Sequence, residues 1–212
     1  MPVVTISRQF GAGGSSVAGV VAAELGCEVV DKFLIDEVAR RLGFSVHEVE
    51  ARIEHSPSWA ETIVRSLGSL EPALGAGWMP PFPDPLYDPR GEITALTETV
   101  IHEVAASGNA VIVGRGAGFA LRGTPGVLRV FLRAPGEACI KTLMARFGYA
   151  RDLAQRAQRE TNANRAAYVK QLYGADWSDP DAYDLIINTG RVSYASAAKM
   201  ILAGARKVSA GA

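Results

Sequence analysis

The sequence predicts an α/β fold of three layers, a five-stranded parallel sheet flanked by helices. Three observations lead there. Five short β-like runs recur along the 212 residues: Val3–Ser7, Glu28–Val30, Ala110–Val113, Leu128–Leu132 and Leu185–Ile187. Their apolar residues are continuous rather than alternating, as expected of strands covered on both faces. Helical patterns separate them, and strands that alternate with helices build parallel sheets. The length fits one domain, 1–212.

Taken in order, Val3, Val4, Thr5 and Ile6 run into a glycine-rich turn with Gly11, Gly13 and Gly14. A small-residue helix follows from Ser15 to Leu25. Lys32–Leu42 reads as a helix. Ser45–His55 reads as another, with Ser45 and Glu48 forming a capping box before Val46, Val49 and Ile53. Thr94–Ala106 carries Leu96, Val100, Ile101 and Val104 at helical spacing and ends near Gly108. Pro135–Phe147 has proline in its first turn and stops at Gly148. Ser193 is the expected cap of a last helix running to about Arg206. Between these, Ser56–Gly91 is rich in proline (Pro57, Pro72, Pro80, Pro81, Pro83, Pro85, Pro89) and carries Trp59, Trp78, Phe82 and Tyr87. Such a stretch is a lid or binding insert, or equally a packed surface excursion. Its aromatics also suit a homodimer contact.

Formal net charge is zero, which disfavours nucleic acid as a main partner, because that affinity rests on excess Lys and Arg. No apolar run approaches the ~20 residues that span a bilayer. No basic-then-apolar leader opens the chain, so the expectation is a cytoplasmic protein without membrane contact. Cys27 and Cys139 sit in apolar surroundings and read as buried free thiols. His47, His55 and His102 lack metal-ligand spacing.

The glycine turn is the chemical centre of the sequence. A strand that feeds a glycine loop opening a helix gathers backbone N–H groups at one place, and these favour an anion. Two templates compete. Gly11, Gly13 and Ser16 give G-x-G-x-x-S, close to the dinucleotide fingerprint, with Asp31 about 20 residues further on. Against it, the third glycine is a serine, and Arg8, Gln9 and Phe10 delay the first glycine. The phosphate-binding P-loop G-x-x-x-x-G-K-[ST] suits the longer loop: Gly13 falls on its second glycine and Ser15 on its metal-binding hydroxyl. Arg8 then stands at the first glycine and Gly14 at the lysine. A dinucleotide-binding oxidoreductase, a phosphate-binding protein and a merely structural glycine turn all remain open on these residues.

The chain resembles the cytidylate kinase-like family, through I-S-R-Q-F-G-A-G-G (6–14), V-V-D-K-F-L-I (29–35), V-I-V-G-R-G-A-G (111–118), L-R-V-F-L-R-A-P (128–135), R-E-T-N-A-N-R-A-A-Y-V-K-Q-L-Y-G (159–174) and D-L-I-I-N-T-G-R-V-S (184–193). The resemblance implies a P-loop kinase fold, with ATP and Mg²⁺ at the loop and a nucleoside monophosphate, CMP or dCMP, as acceptor. Gly11, Ala12, Gly13, Gly14, Ser15 and Ser16 then form the donor cradle, with Ser15 on the metal. Asn188 and Thr189 resemble the loop that holds the ATP base. Arg115, in G-R-G-A-G, looks like the arginine that takes the acceptor phosphate; Gly116 replaces the aspartate of the cytidylate kinase segment G-R-D-x-G. Asp31 is an acceptor-side or metal-water group, or simply a helix N-cap. The segment about 147–175 resembles an arginine-rich lid, with Arg159 and Arg165 its best matches, and the acceptor-binding region falls at about 44–92. Because Gly14 replaces the lysine, Arg8 is the first candidate for its role and Lys32 the second. The same replacement leaves a nucleotide-binding or regulatory protein with a degenerate P-loop as the alternative.

Overall fold

The computed structural model describes residues 2–31, 37, 40, 41 and 89–210. Lys32, the two helices expected over 32–55 and the proline-rich stretch to 88 lie outside the described residues, apart from Glu37, Arg40 and Arg41.

Strand β1 (Val3–Arg8) is buried along almost its whole length. Its even residues Val4 and Ile6 face one layer and its odd residues the other, the period-two consequence of a pleated strand. It lies at the centre of a parallel five-stranded sheet with β2 (Val29–Val30), β3 (Ala110–Val113), β4 (Val127–Arg133) and β5 (Leu185–Asn188), in the order β2-β3-β1-β4-β5. Each strand begins or ends within two residues of its predicted position. Helices α1 (Gly14–Leu25) and α6 (Tyr194–Ala210) cover one face. There Val17, Val21, Ala198 and Ile201 pack on Val4, Ile6, Val130 and Leu132. The last helix begins as expected, with the Ser196 amide donating to Ser193 Oγ at 3.1 Å.

The opposite face carries α2 (Pro89–Ser107) and the short α3 (Ala117–Ala120), whose Ile93, Ile101 and Leu121 pack on Val3, Ala110 and Ile112. Helix α2 starts five residues before the expected Thr94, at Pro89, which the sequence reading had assigned to the proline-rich stretch. Proline is tolerated in a first helical turn because its missing N–H has no partner there. Helix α4 (Gly136–Phe147) follows β4, and α5 (Arg151–Tyr173) occupies most of the expected lid segment. α5 has 23 residues but only Ala154 and Val169 fully buried.

Register explains where function collects. Ile6 pairs with Val113 and Arg8 with Leu132, while Arg133 pairs with Asn188. The carboxyl ends of β1, β3, β4 and β5 therefore open on one edge. The sequence leaves β1 for a strand on one side and β3 for a strand on the other, so β1 marks the switch point where a crevice forms.

Leu132 is fully buried between the sheet and α1–α6. Leu132→Ala is expected to lower unfolding free energy by about 2–5 kcal/mol, read from urea denaturation. A loss under about 1 kcal/mol would contradict the packing described.

Candidate functional site

The strand-to-helix turn is pinned on all sides. The Gln9 amide donates to Leu132 O at 2.9 Å, and Ala12 N donates to Gln9 O at 3.1 Å. Gln9 Oε1 accepts from Ala134 N at 3.0 Å. Thr189 Oγ1 lies 2.9 Å from Ala12 O and 3.2 Å from Arg133 O. The Phe10 amide donates to Asn162 Oδ1 at 2.9 Å, and Arg165 Nη1 donates to Arg8 O at 2.8 Å. What these bonds hold in place is the start of α1. That helix has no side-chain cap, so the amides of its first turn have no intrahelical acceptor. Ser15 and Ser16 there are exposed. Open amides and a positive helix end make an anion cradle.

Gly13 has φ +78°, and the Tyr194 ring occupies the place its Cβ would take. Gly14, where a P-loop carries lysine, is filled from outside. A Cβ there would lie 2.6 Å from Arg8 Cγ and 3.1 Å from Arg8 Cβ. The Arg8 stem thus crosses the helix start. Its guanidinium sits where a Cβ on Gly114 would be and reaches Asp31, with Nη2 3.8 Å from Oδ2. Arg8 therefore joins the cradle, the β2 end and the β3 end. Nothing in the sequence pointed to the contact between Arg8 and Gly114, which joins residues far apart in the chain.

Arg115 is held in left-handed backbone, φ 53°, between Gly114 (φ 78°) and Gly116 (φ 70°). Three successive residues in that region bend the chain sharply after β3, and a non-glycine there is strained. Behind the bend, a Cβ on Gly116 would lie 2.7 Å from Tyr173 Cε2 and 3.2 Å from Tyr168 Cε1. Tyr173 stacks on Phe119 with centroids 5.8 Å apart. Its buried hydroxyl faces the Glu98 carboxylate, which together with burial and Tyr168 disfavours the phenolate. Burial pushes Tyr168 up to about 12, against the opposing pull of Arg115. Burial pushes Tyr173 up as well, and Tyr183 up to about 12.

The structure thus brings together Arg8, Gly11, Ala12, Gly13, Gly14, Ser15, Ser16, Asp31, Asn162, Arg165 and Thr189. Asn188 turns inward on its own loop, its Oδ1 accepting from Gly190 N at 3.1 Å. Arg159 is exposed on α5. Tyr194 was missed by sequence reading, with no motif to mark it; Asn162 lies within the 159–174 segment that carries the resemblance, where only the arginines were given a role. Among the described residues no group of His, Cys, Asp and Glu could hold a metal ion, and no helix is long and apolar enough to cross a membrane. Cys27 and Cys139 are free thiols.

The model of the cytidylate kinase-like family matches residues 3–191. The cytidylate kinase of Pyrococcus horikoshii is 28% identical over 194 residues, covering 90% of this chain and 81% of that protein. The cytidylate kinase of Methanocaldococcus jannaschii is 31% identical over 91 residues, 42% of this chain, and the match spans about half (51%) of that relative's length. Among solved structures, an uncharacterized protein from Eubacterium ventriosum superposes with a TM-score of 0.69 at 21% identity, covering 97% of this chain and 99% of the other. The shikimate kinase of Bacteroides thetaiotaomicron does so with a TM-score of 0.53 at 14% identity, covering 98% and 97%. The fold is the three-layer fold of P-loop kinases.

The tyrosines behind the bend carry a pH signature. Folded Tyr168 titrates near 12, against about 10 when unfolded. A raised folded pKa contributes stability that is present below pH 10 and is lost as pH rises through 12. Denaturation midpoints are expected to fall over that window, and less steeply in Tyr168→Phe. Identical slopes in the two proteins would contradict the buried placement.

Proposed function

The chain belongs to the cytidylate kinase-like family, and on that premise we propose that it transfers a phosphoryl group from ATP to a nucleoside monophosphate, with CMP or dCMP the acceptor. The observation that carries the reading is Arg8. Its stem fills the position-14 space, and its guanidinium lies between the cradle and the bend that presents Arg115. A cation at that junction is what a P-loop lysine would otherwise bring.

The residues present fit the donor. The uncapped start of α1 and the glycine backbone of Gly11–Gly14 suit a phosphate chain, and the exposed hydroxyls of Ser15 and Ser16 stand at the helix start, where Ser15 is assigned to Mg²⁺ and Ser16 to an inner phosphate. ATP supplies the phosphoryl group, and Mg²⁺ neutralises charge on the outer phosphates. Asn188 and Thr189 are assigned to the donor base side, where Thr189 also ties that loop to Ala12.

On the acceptor side Arg115 takes the monophosphate. A guanidinium held by a strained bend presents its paired N–H groups in fixed geometry, which suits bidentate binding of phosphate oxygens. Asp31 orients Arg8 and faces the acceptor. Arg159, Arg165 and Lys32 are assigned to supply further positive charge to the transferring phosphoryl group. In transfer, an acceptor phosphate oxygen forms a new P–O bond while the bond to ADP breaks, giving ADP and a nucleoside diphosphate. The protein contributes position and positive charge rather than covalent chemistry.

An ADP-release assay across CMP, dCMP, UMP, AMP and GMP tests the reading. Turnover fastest with a cytidine monophosphate supports it; ATP binding without turnover on any acceptor leaves a nucleotide-binding protein. The role of Arg8 has its own test. Arg8→Ala is expected to lower kcat about 10²-fold or more. Gly14→Lys alone is expected to lower it too, because its Cβ meets Arg8 Cγ. Arg8→Ala with Gly14→Lys together is expected to recover part of the loss. A Gly14→Lys protein faster than wild type would overturn the assignment.

A further inference from the structure

We propose that Asn162, with Arg165, is a positioning residue through which helix α5 sets the entry to the phosphate cradle. The proposal rests on the cradle taking phosphate, as read above, and adds a residue to which the sequence reading gave no role.

The argument begins with the composition of α5. Its two ends are anchored by apolar packing. Ala154 packs with Ile140, Leu143 and Phe10 near the start, and Val169 with Phe119, Phe131 and Trp177 near the end. The middle has no buried apolar residue. Asn162 and Arg165 sit three positions apart, on one face of the helix, and both are half-buried. That polar span meets the protein through directed bonds instead.

Those bonds end on two backbone groups that flank Gln9 in one short segment. Asn162 Oδ1 accepts from Phe10 N at 2.9 Å, and Arg165 Nη1 donates to Arg8 O at 2.8 Å. The Arg165 guanidinium also lies over the Phe10 ring, 5.9 Å from its centroid, within the range of cation–π attraction. The segment Arg8–Gln9–Phe10, the last residue of β1 and the two that follow it, leads into Gly11. Its middle residue is held from the other side, by β4, through Leu132 O and Ala134 N. Three residues that a dinucleotide turn does without are therefore each bound by a neighbouring element. α5 holds the first and third, and β4 holds the second.

Consequences follow for the cradle. Gly11, Ala12 and Gly13 come directly after Phe10, and the Ala12 amide is tied back to Gln9 O at 3.1 Å. A shift at Phe10 is passed to the glycines through one turn. The Phe10 amide is part-buried, so losing its acceptor leaves a donor unsatisfied. Removing the Asn162 side chain should loosen the loop without emptying the apolar core, because no apolar cluster contains it.

The test uses the full chain and pyrophosphate as the probe, so that it does not depend on turnover. Asn162→Ala is compared with Gln155→Ala, an exposed change on the same helix. Asn162→Ala is expected to speed hydrogen exchange at the Phe10 amide and to weaken pyrophosphate binding about threefold to tenfold, the range of one backbone hydrogen bond. Its thermal midpoint should fall only a few degrees below that of Gln155→Ala. Asn162→Asp, which keeps the acceptor, should restore slow exchange at Phe10. Unchanged Phe10 exchange and unchanged affinity in Asn162→Ala overturn the proposal, as does a wild-type chain that binds no pyrophosphate. A wild-type chain whose pyrophosphate affinity depends on Asn162 but which turns over no monophosphate with ATP refutes the kinase reading and leaves the positioning role standing.

Discussion

The contact on which the site depends is the Arg8 side chain lying across Gly14. A Cβ at position 14 would lie 2.6 Å from Arg8 Cγ, so the arginine in this place requires a residue without a side chain there. The absence of a lysine from this loop is thus the complement of an arginine that enters from the preceding strand. The exchange also changes geometry. A lysine on the helix would reach out from the cradle itself. Arg8 instead reaches from β1 toward Gly114 and Asp31, and so ties the cradle to the turn that carries Arg115.

That tie explains why the surrounding backbone is so fully engaged. A guanidinium positioned from a strand end is only as accurate as the strand end. Gln9 is held by β4, Phe10 and the Arg8 carbonyl by α5, and Ala12 by Thr189. The Arg8–Asp31 pair is long, at 3.8 Å, with Asp31 partly exposed. Such a pair is worth little to stability in itself.

Much of this was legible in the sequence, for physical reasons that differ by element. The strands were readable because both faces of the sheet are covered, which forces continuous apolar runs. The late position of Gly11 pointed away from a dinucleotide turn, and the structure shows what the intervening residues do. The α5 helix was recognised only as a run of positive charge. With so few buried apolar residues it has almost no periodic signal, and its place is fixed by hydrogen bonds to distant backbone that no local pattern encodes. The same holds for Asn162 and for the Tyr194 ring against Gly13. The early start of α2 at Pro89 was hidden because proline reads as a breaker when its position in the turn is unknown. Lys32 and the acceptor-side insert lie outside the described residues, and base selection is assigned there by resemblance alone.

The most direct measurement is a crystal structure of the protein with a non-hydrolysable ATP analogue, Mg²⁺ and CMP. The account predicts the Arg8 guanidinium within hydrogen-bonding distance of the outer donor phosphates, released from Asp31, with its stem still across Gly14. Donor phosphates bound in the cradle while Arg8 remains on Asp31, and some other cation contacts them, would contradict it.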